Sequence, residues 1–491
     1  MQAHDLVSQL GPWSAGKGPL QRKLAHALIQ AVRNGALIPG IRLPSERDLA
    51  GALTVSRTTV VAAYEALREG GWVESRTGSG TWVSRSRVVA AARGAAQAGA
   101  LAASPLLGLL SSRDGEDLVD LVLGAPLPLT ELPRDLFTLP PEDHGALLND
   151  PRYYALGLPP LRQAIASYYA KAGLATRPEQ ILITNGSQQG ISLCAGLYLE
   201  RGDSALVEDP TYFGALDAFR AAGARIMGVA LEAEGVAPAA LRQRIIATSS
   251  RLVYLTPTFQ NPTGVLMPRA ARKEVARIAA DLGVPIIDDG TFFDLALDGS
   301  PPPPVAAFAP DAPVISVGSL SKLVWPGLRI GWVRAPDAIV ERLARLKSSI
   351  DLGCPLLTQA IAVRLVGSIE VIRKLRRQQL KPRRDALAAL LRERLPEWKF
   401  RVPSGGLFLW VKLPGGDARE LAQTALRHGV LILPGPLMSP TERHAAFMRV
   451  PFIAEPETLR TGIRRLAAAW RDYQSGPHRA TAMAEQHLGM V

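Results

Sequence analysis

Leu20, Leu24, Leu28, Ala31 and Val32 recur at the spacing of one helical face, which predicts an amphipathic helix closing near Asn34 and Gly35. Ser45 with Asp48 three residues later is a capping-box start, so a short helix is expected from about Glu46 to Leu53. After a break at Thr54 and Val55, Ser56 can cap a second helix with Val60, Ala63, Tyr64 and Leu67 as its buried stripe. Trp72–Glu74 and Thr81–Val83 then flank the glycine-rich turn Arg76–Gly80, which reads as a two-stranded wing. From Ser84 to about Leu118 the period disappears into small residues, the composition of a linker.

Beyond Val119 the pattern alternates between buried strands and helices, which predicts an α/β fold with a largely parallel sheet covered on both faces. The strands are Ile181–Thr184, Ala205–Val207, Leu252–Leu255, Pro285–Ile287 and Val314–Val317, and each runs into a loop of small or functional residues. Ligands bind at such carboxyl ends. After Lys347 a long helix and a smaller mixed domain are expected, with strands in GGLFLWVKLP and FMRVPFI. The organisation is therefore residues 1–84, a linker 85–118, a large unit 119–475 and a tail 476–491.

A net charge of +12 and a pI near 9.9 suit a polyanionic partner or an anionic ligand. The first 87 residues hold eleven Lys and Arg against six Asp and Glu, so the front module is basic. Cys194 and Cys354, far apart and without metal-type spacing, read as reduced core residues of a cytoplasmic protein. No signal peptide is evident, and Val88–Leu110, with Arg93 and Pro105, is a poor spanning helix, so no membrane partner is expected.

The chemistry gathers in VISVGSLSKLVWPGLRIGW, Val314–Trp332. Lys322 stands at the mouth of a strand, and Arg329, seven residues on, is a planar cation suited to phosphate. A condensable amine beside a phosphate clamp is what pyridoxal phosphate needs from a protein. Gly186, Ser187 and Gln188 open a helix whose N–H groups can receive the same phosphate.

The string GSLSKLVWPGLRIG resembles the cofactor loop of the fold type I aminotransferases, which have large and small domains and bind pyridoxal 5′-phosphate. That resemblance implies Lys322 as the Schiff-base lysine, Ser319 and Arg329 as phosphate ligands, and Asp289, with Asp288 competing, as partner of the pyridine nitrogen. It further implies Asn261 on the phenolic oxygen, Tyr212 stacked on the ring, and Tyr153 or Tyr154 reaching a neighbouring subunit's phosphate. Arg449 matches the clamp for an amino acid's α-carboxylate. One position departs: where a tyrosine is usual after Asp289 the chain has Thr291 and Phe292, with Thr291 a partial substitute at best.

The front module is similar to the winged helix-turn-helix of the GntR regulators, which implies double-stranded DNA as partner. The implied DNA contacts are Arg47, Ser56, Arg57, Thr58 and Thr59, with Arg76 and Gly78 in the wing; Thr54 sits where that family usually turns on a glycine. Joined, the two halves resemble the MocR subfamily of transcriptional regulators, which implies a homodimer that senses pyridoxal phosphate, an amine or an amino acid. The alternatives are a working aminotransferase for aromatic or 2-aminoadipate-like substrates, and a DNA-binding protein with a cofactor-free scaffold.

Overall fold

The structure, a computed structural model, describes residues 1–15, 18–33, 36–38, 40–76, 80–84 and 118–475. The expected helix end at Asn34 and Gly35, the wing tip with Gly78, most of the linker and the tail lie outside them.

The N-terminal module carries α1 (Ala3–Leu10), α2 (Leu20–Arg33), α3 (Glu46–Leu53) and α4 (Arg57–Glu69), then β1 (Val73–Arg76) and β2 (Gly80–Val83). Ser45 Oγ accepts from Asp48 N and Ser56 Oγ from Thr59 N, so the two capping residues start α3 and α4 as the sequence predicts. Thr54 closes α3 in the left-handed conformation, φ 54°. The wing strands pair antiparallel, Val73 opposite Val83. The sequence pattern missed α1, whose Leu6, Val7 and Leu10 are buried in the module's own core.

The second unit has two sheets. Strand β3 (Val119–Leu121) is followed by β4 (Ile181–Thr184), β5 (Ser204–Asp209), β6 (Arg225–Ala230), β7 (Leu252–Leu255), β8 (Ile286–Asp289), β9 (Val314–Ser319) and β10 (Gly331–Arg334). The large sheet runs β4-β10-β9-β8-β7-β5-β6, parallel except for β10, which is antiparallel to both neighbours. All its strands but the edge strand β6 are buried on both faces, as apolar runs covered by helices must be. The smaller sheet adds β11 (Lys399–Phe400), β12 (Phe408–Lys412), β13 (Val430–Pro434) and β14 (Phe447–Pro451), in the order β11-β12-β14-β13-β3.

Strand β3 pairs parallel with β13, Val119 opposite Val430, so the chain enters the small domain before building the large one. The helix Ile369–Arg394 joins the two domains. Its buried Arg376 donates to the carbonyls of Leu323 (2.9 Å), Val324 (2.8 Å) and Leu127 (3.1 Å), fastening the loop that follows Lys322. Both cysteines are free and buried. No helix among the described residues is long and apolar enough to cross a membrane.

Candidate functional site

Lys322 follows the carboxyl end of β9, half-buried, and its Nζ donates to Gly124 O at 2.7 Å. Burial, with Arg449 and Arg329 nearby, lowers its pKa to about 8, against an opposing pull from Asp289. An amine so depressed keeps a useful neutral fraction near pH 7, the form that attacks a carbonyl. Gly124 escaped the sequence reading because its contribution is a backbone oxygen.

Next to it is an anion cradle. Gly186, φ 80°, is the N-cap of the helix Ser187–Tyr198, and Arg329, φ 51°, donates through Nη2 to Asn185 O at 2.7 Å. A Cβ on Gly186 would lie 2.7 Å from Arg329 Nη2, and one on Gly331 would lie 2.6 Å from Ser187 N. Only glycine at both places lets the guanidinium and the helix N-terminus converge. Ser319 Oγ lies 3.0 Å from Ser321 Oγ and 3.1 Å from Ile330 O. The Gln188 side chain braces Gly214 O at 2.7 Å, so what it offers an anion is its backbone N–H.

Asp289 ends β8 with three donors on its carboxylate: Tyr254 Oη at 2.6 Å, Thr291 N at 2.9 Å and Thr291 Oγ1 at 2.5 Å. These three bonds fix the carboxylate at the strand end, where a pyridine nitrogen's proton could be met. Asp288 engages Val305 N at 2.9 Å instead, with burial raising its pKa. Beside them Glu208 is pushed up to about 7, chiefly by burial. The expectation that Thr291 partly replaces the missing tyrosine needs correction, because its hydroxyl is committed to Asp289. Phe292 is core, edge-on to Phe408 at 5.8 Å. Tyr254 was missed: inside LVYL it reads as an ordinary core aromatic.

Arg449, on β14, is 3% exposed and donates to Asn261 Oδ1 (3.0 Å) and Val122 O (2.6 Å). Its guanidinium carbon stands 3.9 Å from the Phe408 ring centroid and 5.6 Å from that of Phe213. Its Nε has no partner among the described residues, and burial lowers its pKa to about 9. A buried cation without a carboxylate partner invites an anion. Asn261 Oδ1 is thereby taken by Arg449. Tyr212, half-buried and tilted against Phe213 at 4.9 Å, is pushed up to about 12 by burial and then by Asp289.

The set therefore fits pyridoxal phosphate: an amine of lowered basicity, a carboxylate held by three donors and a cradle of N–H groups. Tyr154 is not part of that cradle in its own chain. It donates to Asp150 Oδ2 at 2.6 Å under the Arg152 guanidinium, while Tyr153 is 80% exposed.

In the N-terminal module Arg47, Ser56, Arg57 and Thr58 are exposed and Thr59 partly so, all at or near the start of α3 or α4. Arg57 pairs with Glu46 at 3.2 Å, and Ser56 Oγ is shared with Thr58 Oγ1 (2.7 Å) and Thr59 Oγ1 (2.8 Å). Arg76 lies opposite Gly80 in the wing. Arg42, absent from the sequence-derived set, is exposed beside the wing: a Cβ on Gly80 would meet its Nε at 2.9 Å.

Two family models match the chain, "Aminotransferase class I and II" over residues 151–466 and "Bacterial regulatory proteins, gntR family" over residues 20–83. Among relatives, the HTH-type transcriptional regulator YdfD of Bacillus subtilis is 30% identical, covering 94% of this chain and 98% of its own. The probable rhizopine catabolism regulatory protein MocR of Rhizobium meliloti is 29% identical, over 77% of this chain and 78% of its own. Among solved structures, the kynurenine aminotransferase of Pyrococcus horikoshii superposes with a TM-score of 0.69 at 30% identity, covering 76% of this chain and 95% of that one. The aminotransferase matches establish the fold and its cofactor, pyridoxal 5′-phosphate, while the full-length matches are regulators. The chain belongs to the MocR-type transcriptional regulators, a GntR winged helix-turn-helix fused to a class I and II aminotransferase domain.

Proposed function

We propose that this regulator senses pyridoxal phosphate, and an amine or amino acid presented to it, through Lys322, and answers by changing how its winged helices engage a promoter operator. The observation that carries the reading is the convergence on one carboxyl edge of a lysine with pKa near 8, an anion cradle and the buried, carboxylate-free Arg449. When bound, the cofactor supplies an aldehyde for the amine and an electron-withdrawing ring. Lys322 gives the nucleophile, the Ser187 helix N-terminus and Arg329 hold the phosphate, and Asp289 holds the ring nitrogen's proton. Asn261 Nδ2 donates to the phenolic oxygen, Tyr212 covers the ring, and Arg449 grips the effector's carboxylate bidentately.

The same geometry favours sensing over turnover. Thr291 is tied to Asp289 and Phe292 to the core, so neither steadies the phenolic oxygen through a catalytic cycle. The exposed Tyr153, Ile350, Leu352 and Leu357 support a homodimer in which Tyr154 completes the partner's phosphate site. Two DNA modules per dimer then read two half-sites through Arg47, Ser56, Arg57, Thr58, Thr59 and the wing.

The test is operator affinity at fixed salt with no ligand, with pyridoxal phosphate, and with pyridoxal phosphate plus candidate amines. A shift in affinity with ligand is expected. Equal affinities would refute sensing, and multiple-turnover keto-acid formation would favour the aminotransferase reading.

A further inference from the structure

The N-terminal module rests on the small-domain helix Ala418–Arg427. Trp13 Nε1 donates to Gln423 Oε1 at 3.2 Å, and Ala15 packs beside Leu426, Val122 and Met438. The tightest polar contact falls on Thr54, the left-handed residue that turns α3 into α4. Its Oγ1 accepts from Arg427 Nη2 at 3.0 Å and lies 3.1 Å from Thr424 Oγ1. Arg427 also reaches the carbonyls of Leu53 (3.4 Å) and Thr54 (3.3 Å), placing a cation on the electronegative end of α3. A residue with a Cβ holds φ near +54° only when its surroundings over-determine it, and here the C-cap bonds to Ala50 O and Gly51 O are joined by Arg427 and Thr424 of another domain.

The other side of the same helix leads to the cofactor site. Leu426 packs with Val122 in one buried cluster. Val122 O is the acceptor for Arg449 Nη2, and Gly124 O, two residues on, is the acceptor for Lys322 Nζ. Residues 122–124 thus carry the two carbonyls that Arg449 and Lys322 bond. A cofactor that engages Lys322 takes its Nζ from Gly124.

We propose that Arg427, with Thr424, is a latch on the helix-turn-helix turn, and that engagement of Lys322 loosens or tightens it through residues 122–124 and Leu426. The inference rests on the sensing function proposed above and adds the route by which occupancy reaches α4. Ser56, the cap of α4, is two residues beyond Thr54, so a change in the turn re-aims the helix that carries Arg57, Thr58 and Thr59. Arg427 touches neither Lys322, Asp289, Arg329 nor Arg449, and its loss leaves the cofactor's ligands in place.

The test is amide exchange over residues 50–56 of the full-length protein, with and without pyridoxal phosphate, and cofactor binding followed separately by absorbance. In the native protein the cofactor is expected to change exchange of the Thr54 and Val55 amides, bonded to Gly51 O and Ala50 O, at least about fivefold, the lower end of ordinary coupling between sites. Arg427→Ala is expected to bind the cofactor as before and lose that response. Thr54→Gly keeps the left-handed turn, removes the hydroxyl with the rest of the side chain, and is expected to weaken the response. Cofactor binding without a change in native exchange, or an undiminished response in either variant, would overturn the latch. Failure of the native protein to bind pyridoxal phosphate would instead overturn the sensing function on which the latch depends, and absorbance alone reveals it.

Discussion

Arg329 and Thr54 share a backbone conformation, φ 51° and 54°, that side chains seldom adopt, yet they are held by different things. Arg329 is fixed from within its own domain: its guanidinium reaches Asn185 O, and Gly186 clears the space. Thr54 is capped by Ala50 O and Gly51 O of its own helix but is held in addition across a boundary, by Arg427 and Thr424 of the small domain. A turn held from inside presents a rigid group to a ligand. A turn held partly from outside makes one domain's shape depend on another's, which is what a regulator requires and an aminotransferase does not.

The sharpest way to separate the two regions is Lys322→Ala. Retention of pyridoxal phosphate should fall more than about 100-fold, or ~2.8 kcal/mol, by equilibrium dialysis, while the folding of the N-terminal module is unchanged. Arg329→Gly keeps the left-handed backbone and removes a charged donor. Cofactor affinity should drop about 10- to 100-fold, the value of one or two charge-assisted hydrogen bonds. A smaller loss would mean the helix N-terminus alone carries the phosphate.

The pH dependence probes the same edge. Because Lys322 titrates near 8, condensation with the aldehyde should slow about tenfold per pH unit below that value and level off above it. The sign for stability follows: the folded pKa lies below the ordinary 10.5, so between about pH 8 and 10.5 the unfolded chain holds a proton that the folded one lacks. Lys322 therefore makes the protein more stable as pH rises through that window, which melting temperatures across it would reveal. Least in size but most telling in sign is Thr54→Gly. Relief of the left-handed conformation gives about 1 kcal/mol, and loss of the Arg427 bond removes about as much. A net change within ~0.5 kcal/mol in denaturant unfolding is expected, whereas stabilisation by about 1 kcal/mol would mean that Arg427 contributes nothing.

What the sequence made legible was local. Ser45 with Asp48, and Ser56 before a helical stripe, announce α3 and α4 because a cap and its helix lie within a few residues. Lys322, Arg329 and Asp289 were legible because Asp289 ends β8 and the other two lie on the loop after β9, at the carboxyl edge where ligands bind. Illegible were the roles that depend on distant chain. Strand β3 is three residues long and finds β13 some three hundred residues later. Gly124 and Val122 act through carbonyls, which leave no trace in side-chain chemistry. Tyr254 looks like core until Asp289 is placed beside it, and Arg427 looks like one more solvated charge on an amphipathic helix.

The early passage of the chain through β3 sets a rule for anyone grafting this sensor onto a different DNA-binding head. A cut at residue 151, where the aminotransferase family match begins, would discard an edge strand of the small sheet together with the oxygens of Val122 and Gly124. The graft must start by Leu118, or the transplanted half arrives without the piece that feels its ligand.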